Sequence, residues 1–374
     1  MLNRKKTAFI YDESYFEHNA GDGALFEPAG GYIEATGSVE SPESKRRVIT
    51  LLEKSGIMQQ LAQIEPIPAT KEQLQYFHTK RHIEAVEEMS QIGGLDCGDS
   101  AIVGKGSYEI AKLATGGATR AVRAVCEGEV KNAYVLTRPP GHHAEADQGM
   151  GFCIFNNVVI AAKYAQKEQG IKKIAIVDWD AHHGNGTEDA FYEKDDVLFI
   201  SLHQDNLEPI GRGKIEDVGT RKGVGYTINI PLPPASGDAV YQYAFKEVVV
   251  PAIEGFKPDL ILISAGQDAS IFDPLARMML SADGYRWMMT AMKKLAKKYA
   301  NGRLICLHEG GYCPTYVPFC THAIIEALSG MVTDVEDPFI YAMAGTGYNK
   351  RLPHQKDQVD KIKAYHQKLG KGLI

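Results

Sequence analysis

The sequence predicts an α/β fold in which one large parallel sheet is wrapped by helices, and two observations predict it. Apolar, strand-length runs alternate with helix-length amphipathic segments over most of the chain. Several of those runs are unbroken stretches of β-branched residues and leucine, the composition of parallel strands covered on both faces. No internal repeat, low-complexity tract or Pro/Gly/Ser linker divides the 374 residues, so residues 1–374 are expected to form a single domain.

The first hundred residues are less regular and are expected to add helices and substrate loops. Strands are expected at 132–137 (NAYVLT), 173–179 (KIAIVDW), 197–203 (VLFISLH), 260–266 (LILISAG) and 303–309 (RLICLHE). Helical patterns fall between them, at about 107–127, 154–169, 238–255, 283–299 and 319–330.

The composition is that of an ordinary globular protein: 44% hydrophobic, 24% charged, formal net charge −6. Its basic clusters, Arg4-Lys5-Lys6 and SKRR at 44–47, are too short for a nucleic-acid surface. No segment approaches the roughly 20 apolar residues that span a bilayer, and MLNRKKTAFIYDESYFE lacks the apolar stretch of a secretory signal. Cysteines 97, 126, 153, 306, 313 and 320 form no CxxC pair, which excludes a thiolate zinc site and suits a reducing cytoplasm.

The chemistry gathers at the strand ends. RPPGHH follows 132–137 and carries His142 and His143. DWDAHHGN follows 173–177 and carries Asp178, Asp180 and His182. QDAS follows 260–266 and carries Asp268, and EGGY ends in Tyr312. In open α/β sheets ligands lie beyond the carboxyl ends of the strands, so four strands deliver polar residues to one edge. In extended chain Asp180 and His182 share a side. With Asp268 they make a carboxylate-rich set of three ligands with an open position, the pattern of catalytic zinc. Each piece alone has a plainer reading, such as a loop hydrogen-bond cluster or a glycine turn, but the plainer readings then need several coincidences at once.

In order along the chain, RPPGHHA, GMGFCIFNN, DWDAHHGNGT, SLHQ, SAGQDAS, DPLARM and HEGGY resemble the histone deacetylase family in its broad sense, including bacterial histone-deacetylase-like and acetylpolyamine amidohydrolases. The resemblance covers about residues 40–330. It implies the arginase–deacetylase fold, with about eight parallel strands between layers of helices. It implies one catalytic zinc held by Asp180, His182 and Asp268, with His142 as general base, His143 as general acid and Tyr312 stabilising the oxyanion. Asp178 would orient His142. A structural potassium site would use Asp178, Ser201 and Leu202 with main-chain oxygens of Asp180 and His182, and a second would lie near Phe191, Val197 and Tyr226. Asn185 stands where class I members have aspartate, a class II feature that should leave His143 harder to protonate. The retained Tyr312 implies real deacetylase activity, and the bacterial members imply a homo-oligomer.

The resemblance also gives a substrate tunnel through Phe152, Leu275, Glu208, Gly310 and Gly311. After SLHQ, where an aromatic normally follows, the chain reads DNLEPIG, so either Leu207 replaces the aromatic or Glu208 stands at the rim. Gln267 replaces the family's phenylalanine. Leu275 stands where the polyamine deacetylase has glutamate, which favours acetyl-lysine or a small acylated amine, although Glu208 or Asp205 could restore a negative rim. The implied reaction is deacetylation, with an acetylpolyamine amidohydrolase as alternative and a non-catalytic acyl-amine-binding protein as a second. A binuclear manganese ureohydrolase fits less well, because Gly184 stands where its second metal needs aspartate.

Overall fold

The computed structural model describes residues 6–25 and 27–374, so Arg4 and Lys5 of the first basic cluster lie outside the described residues. Eight strands form the central sheet: β1 (Thr7–Ile10), β2 (Ala62–Gln63), β3 (Asn132–Val135), β4 (Ile174–Asp178), β5 (Val197–Gln204), β6 (Thr227–Leu232), β7 (Leu260–Ala265) and β8 (Leu304–His308). Their order is β6-β5-β4-β7-β8-β3-β1-β2, and every pairing is parallel. The expected α/β fold on one parallel sheet is the fold observed.

The uninterrupted apolar runs follow from burial on both faces. Along β4, Ala175 and Val177 enter one core cluster while Ile174 and Ile176 enter the other. β7 repeats this with Ile261 and Ile263 against Leu260 and Leu262. Each buried Val, Ile or Leu side chain stabilises the fold by about 1.5–3 kcal/mol, which makes these central strands its most strongly held part. The helices over them include α1 (Glu43–Lys54), α2 (Lys80–Ile92), α3 (Ser107–Cys126), α4 (Asn157–Glu168), α5 (Asn185–Phe191), α6 (Ala282–Tyr299), α7 (Val317–Ser329) and α8 (Pro353–Lys368). The helix expected at 238–255 is interrupted by a π-helical turn, Phe245–Val249, just before Pro251. A proline ring clashes with the carbonyl four residues back, and a wider turn relieves that clash.

Three strands of this sheet were not expected. β1 and β2 are only four and two residues long and lie in the segment read as loops and helices. β6 carries buried Asn229 and Pro231, which break the apolar pattern. Proline is admitted because β6 is an edge strand. The equally unexpected α8 shields that edge, with Gln358 Nε2 donating to the Pro231 carbonyl at 2.9 Å. No helix among the described residues is long and apolar enough to cross a membrane.

β3, β4, β7 and β8, whose ends carry the candidate residues, are four consecutive strands at the centre of the sheet. In register, Asp178 sits beside Ser201 on one side and Ser264 on the other. On α8, burial pulls His366 down to about 4. The unfolded chain therefore takes up this proton first, so stability present above pH 6.5 is lost as pH falls toward 4. In His366→Gln, urea melts between pH 7 and 4.5 should show that loss reduced by roughly 1–3 kcal/mol.

Candidate active site

β4 ends at Asp178, and the chain continues in short loops closed by their own carboxylates. Asp178 Oδ1 accepts from the Asp180 amide at 3.0 Å, and Asp180 Oδ1 from the His182 amide at 2.9 Å. Asp268, beyond β7, reaches across to accept from the Ala181 amide at 2.8 Å. His182 Nδ1 then lies 2.8 Å from Asp268 Oδ2 and 3.2 Å from Asp180 Oδ1. One donor atom from each residue lies within 4.8 Å of the other two, so the structure brings all three expected ligands together.

Two buried carboxylates sharing one imidazole are short of positive charge. Burial and the neighbouring Asp180 push Asp268 far above the usual carboxylate range. Burial opposes ionisation of Asp180 as well, yet His142 and His182 hold it well below that range. Such splitting of like charges is what a bound cation relieves. The donor set is hard oxygen plus imidazole, buried and open toward a cavity, and it fits a zinc ion. Two glycines let the main chain close on it. A Cβ on Gly266 would lie 2.1 Å from Asp180 Oδ2, and one on Gly310 would lie 2.6 Å from Asp268 Oδ2. The Gly310 amide also donates to Asp180 Oδ2 at 2.9 Å.

His142 and His143 lie side by side, their ring centroids 4.0 Å apart, with different partners. His142 Nδ1 is 3.0 Å from Asp178 Oδ2, and against the opposing effect of burial Asp180 and Asp178 raise its pKa well above the ordinary value. His143 Nδ1 is 2.8 Å from Asn185 Oδ1. The Asn185 amide nitrogen donates to Glu145 Oε1 at 2.9 Å, which assigns the oxygen to the histidine side and the proton to His143 Nδ1. Burial, then His142 and His182, hold His143 well below its ordinary pKa. Nε2 of His143 is thereby left as an acceptor.

A cavity of about 500 Å³ opens onto this floor, lined by His143, His182, Phe152, Leu207, Leu275 and Tyr312 among others. His142 is not among its lining residues. Phe152 and Tyr312 meet edge-on across it, centroids 5.7 Å apart. Both readings of DNLEPIG hold in part, since partly buried Leu207 and exposed Glu208 each line the cavity. Asp205 does not; its amide donates to the Leu232 carbonyl instead. Gly310 and Gly311, expected in the tunnel, are not among the residues lining the cavity. A Cβ on Gly310 would meet Asp268, Asp180 and the Tyr312 hydroxyl, and one on Gly311 would meet Val317 and Gln267. Ser201 and Leu202 are buried beside the end of β4, with Ser201 Oγ 2.9 Å from His203 Nδ1. Phe191 and Tyr226 use their carbonyls for the amides of Lys194 and Phe199.

Several contributors escaped sequence reasoning. Asp273 pins the wall, accepting from the amides of Tyr312 at 2.8 Å and Leu275 at 2.9 Å. Glu309 Oε2 accepts from the amides of Gly141 at 2.7 Å and His142 at 3.2 Å, which fixes the histidine turn. Burial raises Glu309 to about 7. Arg138 donates to the Tyr15 and His18 carbonyls and to Glu40, anchoring the amino-terminal segment beneath the site. The acid and the arginine stood in the strings EGGY and RPPGHH, but no spacing rule announces such bracing. Gln267 is fully buried, and its amide links Ala265, Tyr134 and Thr321 below Asp268.

Residues 38–328 match the histone deacetylase domain family. The chain is 46% identical over 337 residues to a histone deacetylase-like amidohydrolase of Pseudomonas aeruginosa, covering 89% of each. The chain belongs to the histone deacetylase family. It is also 39% identical to a probable deacetylase of Archaeoglobus fulgidus over 91% of this chain and 96% of that one. Among solved structures, the HDA15 HD domain superposes with a TM-score of 0.85 at 31% identity, covering 98% of both chains. The fold is therefore the arginase–deacetylase fold of this family, whose chemistry is the hydrolysis of an amide. In a deacetylase of this build, Gly266→Ala should displace the Asp180 carboxylate. Elemental analysis should find the divalent-metal content of the purified variant well below that of the parent.

Proposed function

We propose that this deacetylase is zinc-dependent and hydrolyses N-acetyl amides of lysine side chains or similar small amines, with residues 1–374 acting as one domain. The observation that carries the reading is the cluster of Asp180, His182 and Asp268 on the floor of a cavity also lined by His143 and Tyr312. A zinc ion held by the three ligands supplies a Lewis acid for the acyl carbonyl and makes water a better nucleophile. Every other function falls to the chain. Phe152 and Leu275 hold the linear substrate and exclude water. The Tyr312 hydroxyl donates to the carbonyl oxygen as it gains negative charge.

The proposed division of labour between the histidines differs from the base-and-acid pair that the resemblance implies. His143 faces the cavity with Nε2 free to accept, which supports it as the group that takes the proton from water and returns it to the departing nitrogen. His142 lies behind, paired with Asp178, and supplies positive charge to the same region. A monovalent cation at Asp178, Ser201 and Leu202, and a second near Phe191, Val197 and Tyr226, would serve the sheet edge structurally. The six unpaired cysteines support a reducing, cytoplasmic setting.

A binuclear site is disfavoured sterically, since a Cβ at position 184 would already lie 2.3 Å from Asp178 Oδ2. Metal analysis should find one zinc per chain, and two manganese ions would sink the proposal. Tyr312→Phe should retain that zinc while kcat falls about 100-fold, the usual scale for losing an oxyanion donor. If zinc-loaded protein turned over no acyl-lysine, acetylpolyamine or small acetamide, a binding module would replace the enzyme. Leu275 places an apolar side chain on the wall, so an acetyl-lysine peptide should be turned over faster than acetylspermidine. A large kinetic preference for acetylspermidine would favour the polyamine reading.

A further inference from the structure

Immediately beyond the paired histidines the chain turns at residues 144–148, and several elements hold that turn. Asn156 Nδ2 donates to the Ala144 carbonyl at 3.1 Å, and the Thr79 amide to the Ala146 carbonyl at 2.8 Å. The Glu145 amide donates to the Gln148 carbonyl at 3.0 Å. Helix α5 starts against the same turn, and only glycine fits there: a Cβ on Gly186 would lie 2.1 Å from the Ala144 carbonyl oxygen. This close approach sets the partly buried Glu145 beside Asn185. Glu145 Oε1 accepts from Asn185 Nδ2 at 2.9 Å, and Oε2 accepts from Gln148 Nε2 at 2.9 Å. The other groups near Asn185 Nδ2, the His143 carbonyl and Met150 Sδ, both stand at 3.4 Å. The short, charged contact is therefore the strongest that this amide makes.

An asparagine amide keeps nearly the same shape when its oxygen and nitrogen exchange places. With the oxygen toward His143 it accepts from Nδ1–H, and Nε2 is left as an acceptor. With the nitrogen there it donates to Nδ1, and the ring proton moves to Nε2. We propose that Glu145 is a positioning residue: it holds the Asn185 oxygen toward His143 and so keeps the His143 proton on Nδ1. The inference rests on the deacetylase reading, in which His143 Nε2 takes a proton from water, and it adds what selects that tautomer. Glu145 is not among the residues lining the cavity, so it acts through Asn185 and not on the substrate. A full charge at the far end of the chain Glu145–Asn185–His143 fixes which way a neutral group points. Loss of the group that sets a catalytic histidine's tautomer lowers the rate even when the geometry survives.

The test reads tautomer and rate separately on the zinc-loaded full chain. Nitrogen-15 NMR of histidine-labelled protein distinguishes Nδ1–H from Nε2–H, with the His143 signals assigned by their loss in His143→Ala. The parent should carry the proton on Nδ1. In Glu145→Ala a measurable share should move to Nε2, and kcat for an acetyl-lysine peptide should fall about ten-fold, with KM changed less than about two-fold. Asn185→Asp offers an oxygen in either orientation, so in that background Glu145→Ala should lower kcat less than about two-fold and leave the proton on Nδ1. A residue that merely propped the turn would lower kcat by the same factor in both backgrounds. Gln148→Ala, which removes the other hydrogen bond of Glu145, should leave tautomer and kcat close to the parent's. Equal losses in the two backgrounds, a His143 tautomer unmoved by Glu145→Ala, or an equal loss in Gln148→Ala would overturn the proposal. If no acylated amine is hydrolysed, the deacetylase reading has failed separately, and the NMR tautomers alone decide whether Glu145 sets the His143 proton.

Discussion

Two carboxylates and an imidazole crowded into one buried corner impose the constraint around which the rest of this molecule is arranged. Asp180 and Asp268 are fully buried, and His182 lies within hydrogen-bonding distance of both. Such a group is unfavourable without a cation, since like charges at low dielectric repel strongly. The fold makes it possible by delivering Asp180 and Asp268 from the ends of adjacent central strands. Those strands are held by apolar contacts on both faces, so the cost of crowding the charges is met by burial elsewhere.

Around that corner lies a layer of groups that touch no substrate but decide where the reacting atoms stand. Asp273 fixes the amides of Tyr312 and Leu275, Glu309 fixes the histidine turn, and Asp178 and Asn185 fix the two imidazoles. Each is a buried acceptor with defined donors, and removing one would leave its partners unsatisfied in a dry interior. Gln267 fits this pattern. Its amide joins strands β3 and β7 to helix α7 beneath Asp268.

The division between the paired histidines is set by the same layer. A carboxylate behind His142 favours its cationic form, whereas the neutral amide behind His143 does not offset burial and the neighbouring His142 and His182. Since His143 alone of the two lines the cavity, the more readily deprotonated ring is also the one that can meet a substrate.

The five long apolar runs were legible as strands because both-face burial leaves continuous β-branched and leucine composition, and four of their ends carried Asp180, His182, Asp268, the histidine pair and Tyr312. β1, β2 and β6 were not legible, since two to four residues carry too little pattern in β1 and β2, and Asn229 and Pro231 break the apolar run of β6. Sequence also pointed to Asp180, His182 and Asp268 as one candidate site, because period-two alternation puts Asp180 and His182 on one side, and the strand ends and the family strings add Asp268. Only the tertiary structure decided which histidine faces the cavity, that Gly310 and Gly311 do not line it, and that Glu208 rather than Asp205 does. Those outcomes depend on how loops from distant strands pack against one another, and spacing along the chain does not encode a direction in space.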